Sequence, residues 1–222
     1  MHGYVFQFRP VLQQLPLLLD GAWATLQISV LTLLLSLLVG TLGALCRLSR
    51  LEWLRLAATW YVEIIRNTPL LVQLFLIYFG FGQMNIEVPV YMAALVALVV
   101  NNGAYLTEIV RAGIEAIHKG QIEAGLSLGL SYSQLMRFVI FPQAFRVIYP
   151  PLCNQFIGII LWSSLVSTIS VEELSFQSKQ IASITFRTFE TYTVVTIIYV
   201  AMTLTVSGLL KMVGWRAFQR SG

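Results

Sequence analysis

The chain runs to 222 residues, of which 57% are hydrophobic and 11% charged, with a mean hydropathy of +0.77. Soluble domains carry about a quarter charged residues, so a chain this apolar turns most of its surface to lipid. Its formal charge of +4 then belongs to membrane orientation and not to nucleic-acid binding, and Cys46, Cys153, His2 and His118 lack the spacing of a disulfide framework, a metal site or a catalytic pair.

The segment ahead of Asp20 has no basic start followed directly by an apolar core and a small-residue cleavage site, so no cleavable signal peptide is expected and the first apolar run stays as a helix. Five runs free of Asp, Glu, Lys and Arg are about long enough to cross a core of roughly 30 Å as helices: Gly21 to Cys46, Asn67 to Ile86, Val88 to Thr107, Val147 to Val171 and Thr191 to Leu210. The second begins upstream, near Ala57, because Glu63 and Arg66 continue its apolar pattern. The expected fold is an all-α membrane protein, a single transmembrane domain over 1–222 with five spans at about 21–46, 57–82, 88–110, 147–171 and 191–212. One further uncharged run, Ala124 to Met136, is too short to span and must lie at a surface or in a protein interface.

Basic residues gather on one side of this array. Arg47, Arg50 and Arg55 follow the first span, Arg111, Lys119, Arg137 and Arg146 the third, and Lys211, Arg216 and Arg220 the fifth, ten in all against Arg9, Lys179 and Arg187 opposite. The positive-inside rule then puts the N-terminus outside and the C-terminus in the cytoplasm, together with the segment from Arg111 to Arg146.

Within the spans, Gly40 and Gly43 permit close helix approach. Glu63 and Arg66 share one helix face, as do Glu108 and Arg111. Ionisable groups at membrane depth face a cavity or a partner, unless each pair neutralises itself near the surface. Pro69 predicts a kink in the second span, with a freed carbonyl that needs a partner or water. Asn101, Asn102 and Tyr105 in the third span, and Asn154 with Gln155 early in the fourth, either glue helices together or line a polar path. Trp53, Trp60 and Trp215 sit as interfacial anchors, whereas Trp162 does not. Glu172 and Glu173 end the fourth span on the outer face, in a hydrated loop or against a docking protein.

The cytoplasmic segment between spans three and four, about 115–142, is the most informative stretch. His118 is expected to be solvated ahead of it. Gln121 to Leu128 favours helix, Gly129 can close it in the left-handed conformation, and Ser131-Tyr132-Ser133-Gln134 reads as a capping box that starts a second helix. That second piece carries Leu135, Met136, Phe138, Val139 and Phe141 and is expected to stop at Pro142. A helical hairpin with an apolar side needs cover, from a partner protein, from the chain's own spans or from the lipid interface.

These residues resemble a known pattern. Glu123-Ala124-Gly125, Gly129 six residues after the Glu, and Phe141-Pro142 look like the EAA loop of importer permeases of the ATP-binding-cassette superfamily, whose consensus reads Glu-Ala-Ala, the same Gly, and Leu-Pro. Other stretches resemble the polar amino-acid branch: Arg66-Asn67-Thr68-Pro69-Leu70, Ala104-Tyr105 through Glu108, Arg111-Ala112-Gly113-Ile114, Pro142-Gln143-Ala144-Phe145-Arg146 and Ser164-Leu165-Val166-Ser167. One departure stands out: many relatives carry Lys-Asp where this chain has Leu161 and Trp162.

The resemblance implies a permease subunit that imports a polar amino acid across the bacterial inner membrane by alternating access. Glu123, Ala124, Gly125, Gly129 and Pro142 would couple it to a dimer of separate ATPase subunits. Glu63, Arg66, Asn101, Tyr105, Gln155, Trp162 and Ser164 are the candidates for the substrate path. A second permease, identical or paralogous, an extracytoplasmic solute-binding protein and membrane lipid complete the implied partners. No phosphate-loop motif occurs, so ATP hydrolysis is expected on another chain and no cofactor in this one. Two alternatives are an ion-driven secondary transporter, which predicts internal repeats and paired broken helices, and a membrane scaffold.

Overall fold

The structure, a computed structural model, describes residues 4–219; His2 and Arg220, discussed above, lie outside the described residues. Every regular element among the described residues is helical: α1 Arg9–Leu12, α2 Leu15–Arg47, α3 Glu52–Arg66, α4 Leu70–Gln83, α5 Val90–Glu115, α6 Lys119–Ser127, α7 Tyr132–Leu135, a π turn Met136–Ile140, α8 Phe141–Trp162, a 3-10 segment Ser163–Ile169, α9 Leu174–Thr185 and α10 Thr188–Gln219. Four helical runs, Leu15–Arg47, Val90–Glu115, Tyr132–Ile169 and Thr188–Arg216, are long and apolar enough to cross a membrane, and α3 with α4 make a fifth if counted as one broken span.

That broken span corrects the expected kink. Thr68 precedes Pro69 and is pushed away from the helical region, and Asn67 has already left it at φ −95° and ψ 9°. Side chains bond the carbonyls at the break: Asn67 Nδ2 donates to the Glu63 carbonyl at 2.7 Å, which also keeps the Asn67 backbone N–H at 3.2 Å, and the Thr68 hydroxyl donates to that of Ile64 at 2.9 Å. Pro69 then stands just ahead of α4, where its missing N–H costs little.

Pro142 brings a second correction, because it does not end a helix. The chain stays helical from α7 through the π turn into α8, and Pro142 is the second residue of α8. The turn ahead of it is widened, with the Phe141 N–H bonded to the Met136 carbonyl. A ladder already loosened there accommodates a residue that can neither donate nor sit under the carbonyl four residues back.

The long helices contribute to two compact units. The first comprises the described part of Met1–Thr32 with Leu70–Leu98 and Ile157–Leu209. Its core gathers Val11, Leu18, Ala22, Leu174, Ile181, Val194 and Val195. Gly21 permits that packing, since a Cβ there would lie 2.9 Å from the Leu174 Cα. The N-terminal strand of chain is tied to the start of α10: Tyr4 OH donates to Glu190 at 2.5 Å, the Gln7 N–H donates to it at 2.9 Å, and Arg187 donates to the Val5 carbonyl at 3.1 Å.

The second unit comprises Leu33–Pro69, Val99–Phe156 and Leu210–Gly222 as far as described. Ala44, Val110, Ile117, Leu135, Ile140, Ala144 and Ile148 form its core. Here Gly40 lets α2 approach α5 so closely that a Cβ would fall 2.5 Å from that of Leu106. The Tyr61 hydroxyl donates to the Val100 carbonyl at 2.7 Å, tying α3 to α5.

Candidate functional site

The hairpin between α5 and α8 is built by local rules. His118, exposed as expected, also caps α6, its Nδ1 accepting from the Gly120 N–H at 3.1 Å. At the other end Gly129 sits at φ +80°, and the Leu130 N–H reaches the Gly125 carbonyl at 3.1 Å while the Gly129 N–H reaches that of Leu126 at 2.9 Å. This is the paired closure that a left-handed residue makes possible. Ser131 and Gln134 form the reciprocal capping box, with backbone-to-side-chain bonds of 2.9 and 3.3 Å.

Gly125 is buried where the consensus has Ala, and a Cβ there would fall 2.5 Å from Leu135 Cδ1. The smaller residue thus makes room for Leu135, which is fully buried. Glu123 and Ala124 lie exposed beside it. Leu126, Leu128, Tyr132, Phe138 and Phe141 are also exposed, Leu128 at 83%. The hairpin therefore fills its own interior and still leaves five large apolar side chains between Leu126 and Phe141 uncovered.

The membrane-depth polar residues sort into two kinds. Asn102 is fully buried and accepts from Gln155 Nε2 at 2.7 Å, which ties α5 to α8 as helix glue. Asn101 is buried one residue earlier. By contrast Glu63 and Arg66 are exposed, and among the described residues no ion pair joins them. The Glu63 carboxylate accepts from Asn67 Nδ2 at 3.2 Å, and the Arg66 guanidinium stands 5.3 Å from the centre of the Tyr105 ring. Trp162 and Ser164 belong to the other unit. There the Trp162 ring covers Gly158, whose Cβ would lie 3.0 Å from Cη2, and Ser164 donates to the Leu161 carbonyl at 2.7 Å.

Glu108 and Arg111 do neutralise one another, in a chain longer than the sequence suggested. Arg47 and Arg111 both bond Glu108, and Arg111 also reaches Glu115 at 2.5 Å. At Glu172 and Glu173 the outcome differs from expectation. Glu172 is exposed, but Glu173 is completely buried: it caps α9 through the Phe176 N–H at 3.0 Å and accepts from the Thr25 and Tyr199 hydroxyls, each at 3.1 Å. Burial holds its carboxyl above the usual carboxylate range. Helix α9 itself had no counterpart in the sequence reading; the acid three residues ahead of Phe176 was its only local signal.

An all-helical chain, among the described residues, with four long apolar helices and a fifth, broken span defines a multi-span membrane protein. The chain belongs to the family described as binding-protein-dependent transport system inner membrane component, matched over residues 36–218. It is 38% identical over 208 residues to the glutamine transport system permease protein GlnP of Escherichia coli K12, covering 93% of this chain and 95% of that one. It is 34% identical over 207 residues to the arginine transport system permease protein ArtQ of Bacillus subtilis 168, covering 93% and 94%. A solved amino acid ABC transporter crystallised with histidines superposes with a TM-score of 0.90 at 41% identity, over 96% of this chain and 100% of that one. The family resemblance seen in the hairpin is thereby borne out.

Proposed function

We propose that this chain is the permease subunit of an ATP-binding-cassette importer that moves a polar amino acid into the bacterial cytoplasm by alternating access. A dimer of separate ATPase subunits docks on the hairpin, a second permease completes the path, and an extracytoplasmic binding protein delivers the solute. The N-terminus lies outside and the C-terminus inside. The similarity to glutamine and arginine permeases supports the substrate class.

The observation that carries the coupling is the set of uncovered apolar side chains on a hairpin whose interior is already packed. Glu123, Ala124 and Gly129 lie exposed on the hairpin, Gly125 packs beneath them against Leu135, and the continuous helix through Pro142 carries its displacement into the span Tyr132–Ile169. Glu63 and Arg66, exposed at a helix break with Tyr105 beside them, line the path within the second unit with Asn101 and Gln155; in the first unit the path candidates are Trp162, at the end of α8, and Ser164, in the 3-10 segment that follows. Charged groups at such depth face a cavity or another subunit, not lipid.

Reconstitution in liposomes with the ATPase and binding protein tests this reading. A β-branched side chain at φ +80° is strained by more than one kcal/mol, so Gly129→Val is expected to lower amino-acid-stimulated ATP hydrolysis by about tenfold or more while the complex still forms. Unchanged stimulation in that variant overturns the coupling assignment.

A further inference from the structure

A second polar site lies in the same unit as the hairpin and away from it in sequence. A cleft of about 390 Å³ opens at the C-terminal ends of α2 and α5 and the start of α3, lined by Arg47, Glu52, Arg55, Leu56, Arg111 and Glu115. Three guanidiniums and two carboxylates face it, and Glu108, bonded to Arg47 and Arg111 at once, makes the local count of opposite charges equal. The guanidiniums are not used up by these pairs. Among the described residues Arg47 makes its one ion pair to Glu108, and Arg55 touches only Glu52, at 3.5 Å. Each fork has five N–H donors, so both keep donors for an additional oxyanion. The carboxylates at the rim are open as well, with side chains 90% exposed for Glu52 and 50% for Glu115.

We infer that this cleft binds the headgroup of a zwitterionic phospholipid, its phosphodiester on Arg47 and Arg55 and its ammonium on Glu52 and Glu115. A charge-balanced cleft favours a ligand that carries both signs over a simple anion. Its setting supplies the rest. Arg47, Arg50 and Arg55 follow the end of the first span on the basic side, where the positive-inside rule puts the membrane surface. Leu56 in the cleft continues into an exposed stripe on α3, Trp53, Leu56 and Trp60, three and four residues apart, which suits an acyl chain and interfacial indoles. A lipid held there touches the ends of α2, α3 and α5, four residues ahead of α6 and the hairpin.

The test measures lipid retained by the full chain purified with its ATPase in mild detergent and exchanged against defined mixtures of phosphatidylethanolamine, phosphatidylcholine and phosphatidylglycerol, read by native mass spectrometry. The wild type is expected to retain phosphatidylethanolamine preferentially. Losing one charge-assisted contact corresponds to about tenfold, so Arg55→Gln is expected to lower retention of every phospholipid by about that factor, and Glu52→Gln with Glu115→Gln to remove only the preference for the ammonium headgroup. Both Arg55 and Glu52 are exposed, and size-exclusion profiles verify that the variants still assemble. Equal retention of phosphatidylglycerol, displacement by millimolar inorganic phosphate alone, or photo-crosslinking of position 55 to the ATPase with no lipid retained each overturns the assignment. So does an unchanged lipid count in Arg55→Gln.

Discussion

The chain places carboxylates in two contrasting settings. Glu108 sits among cations, shared by Arg47 and Arg111, with all three side chains between 17% and 28% exposed. Glu173 is wholly buried, and among the described residues no cation pairs with it; the Thr25 and Tyr199 hydroxyls and a backbone N–H hold it instead. In the first setting countercharge keeps an ionised group tolerable near the membrane surface. In the second, hydrogen bonds from two hydroxyls and a backbone N–H do the same work while burial raises the carboxyl's pKa, so the two sites should answer to different variables: one to salt, the other to pH.

Glu173 carries the larger expected effect. Glu173→Ala removes the acceptor shared by the Thr25 and Tyr199 hydroxyls and the N-terminus of α9; each hydroxyl keeps one other bond, to the Gly21 carbonyl and the Ser175 hydroxyl, so the loss is about 2 kcal/mol in the unfolding of the purified protein in detergent. Glu173→Gln keeps an acceptor and resembles the protonated acid, so its loss stays under about 1 kcal/mol. The pH dependence separates the two states of the wild type. Burial raises the folded carboxyl above the value of the unfolded chain, so its contribution is complete below the unfolded value and is lost as pH rises through the folded one. Glu173→Gln is expected to remove that slope; a slope that persists in this variant puts the titrating group elsewhere.

Next comes Glu108→Gln, which leaves Arg47 and Arg111 facing each other without their shared anion. Partial exposure moderates the penalty to about 1–2 kcal/mol, and added salt, by screening the two guanidiniums, should recover part of it. If thermal unfolding of this variant is insensitive to salt, the pairs act through packing rather than charge.

The contrast also explains what the sequence disclosed. Glu108 and Arg111 were readable because their partner lies three residues away on one helix, and the hairpin because Gly129, Ser131 and Gln134 act on neighbours. Four spans followed from apolar length, and the fifth, α3 with α4, from the apolar pattern that continues around Glu63 and Arg66, although Thr68 before Pro69 turned an expected kink into a break. Glu173 was unreadable as a buried group, because Thr25 and Tyr199 stand 148 and 26 residues from it and only tertiary packing assembles them. Pro142 misled for a related reason: the π turn that admits it is a property of the whole helix from α7 to α8, not of the proline.

The smallest expected effect belongs to the pair Glu52 and Arg55, at 3.5 Å with side chains 90% and 54% exposed. Such a pair contributes no more than about 0.5 kcal/mol, since both groups are well hydrated when apart. Glu52→Gln in delipidated protein should therefore leave the unfolding midpoint nearly unchanged. With phosphatidylethanolamine present, the same substitution removes a partner for the bound ammonium, and the stabilisation by added lipid should shrink. A loss of equal size with and without lipid would make Glu52 a structural residue like Glu108. A loss seen only with lipid would make it part of a binding site, because only a ligand bound to the folded state can add stability that vanishes when the ligand is withdrawn.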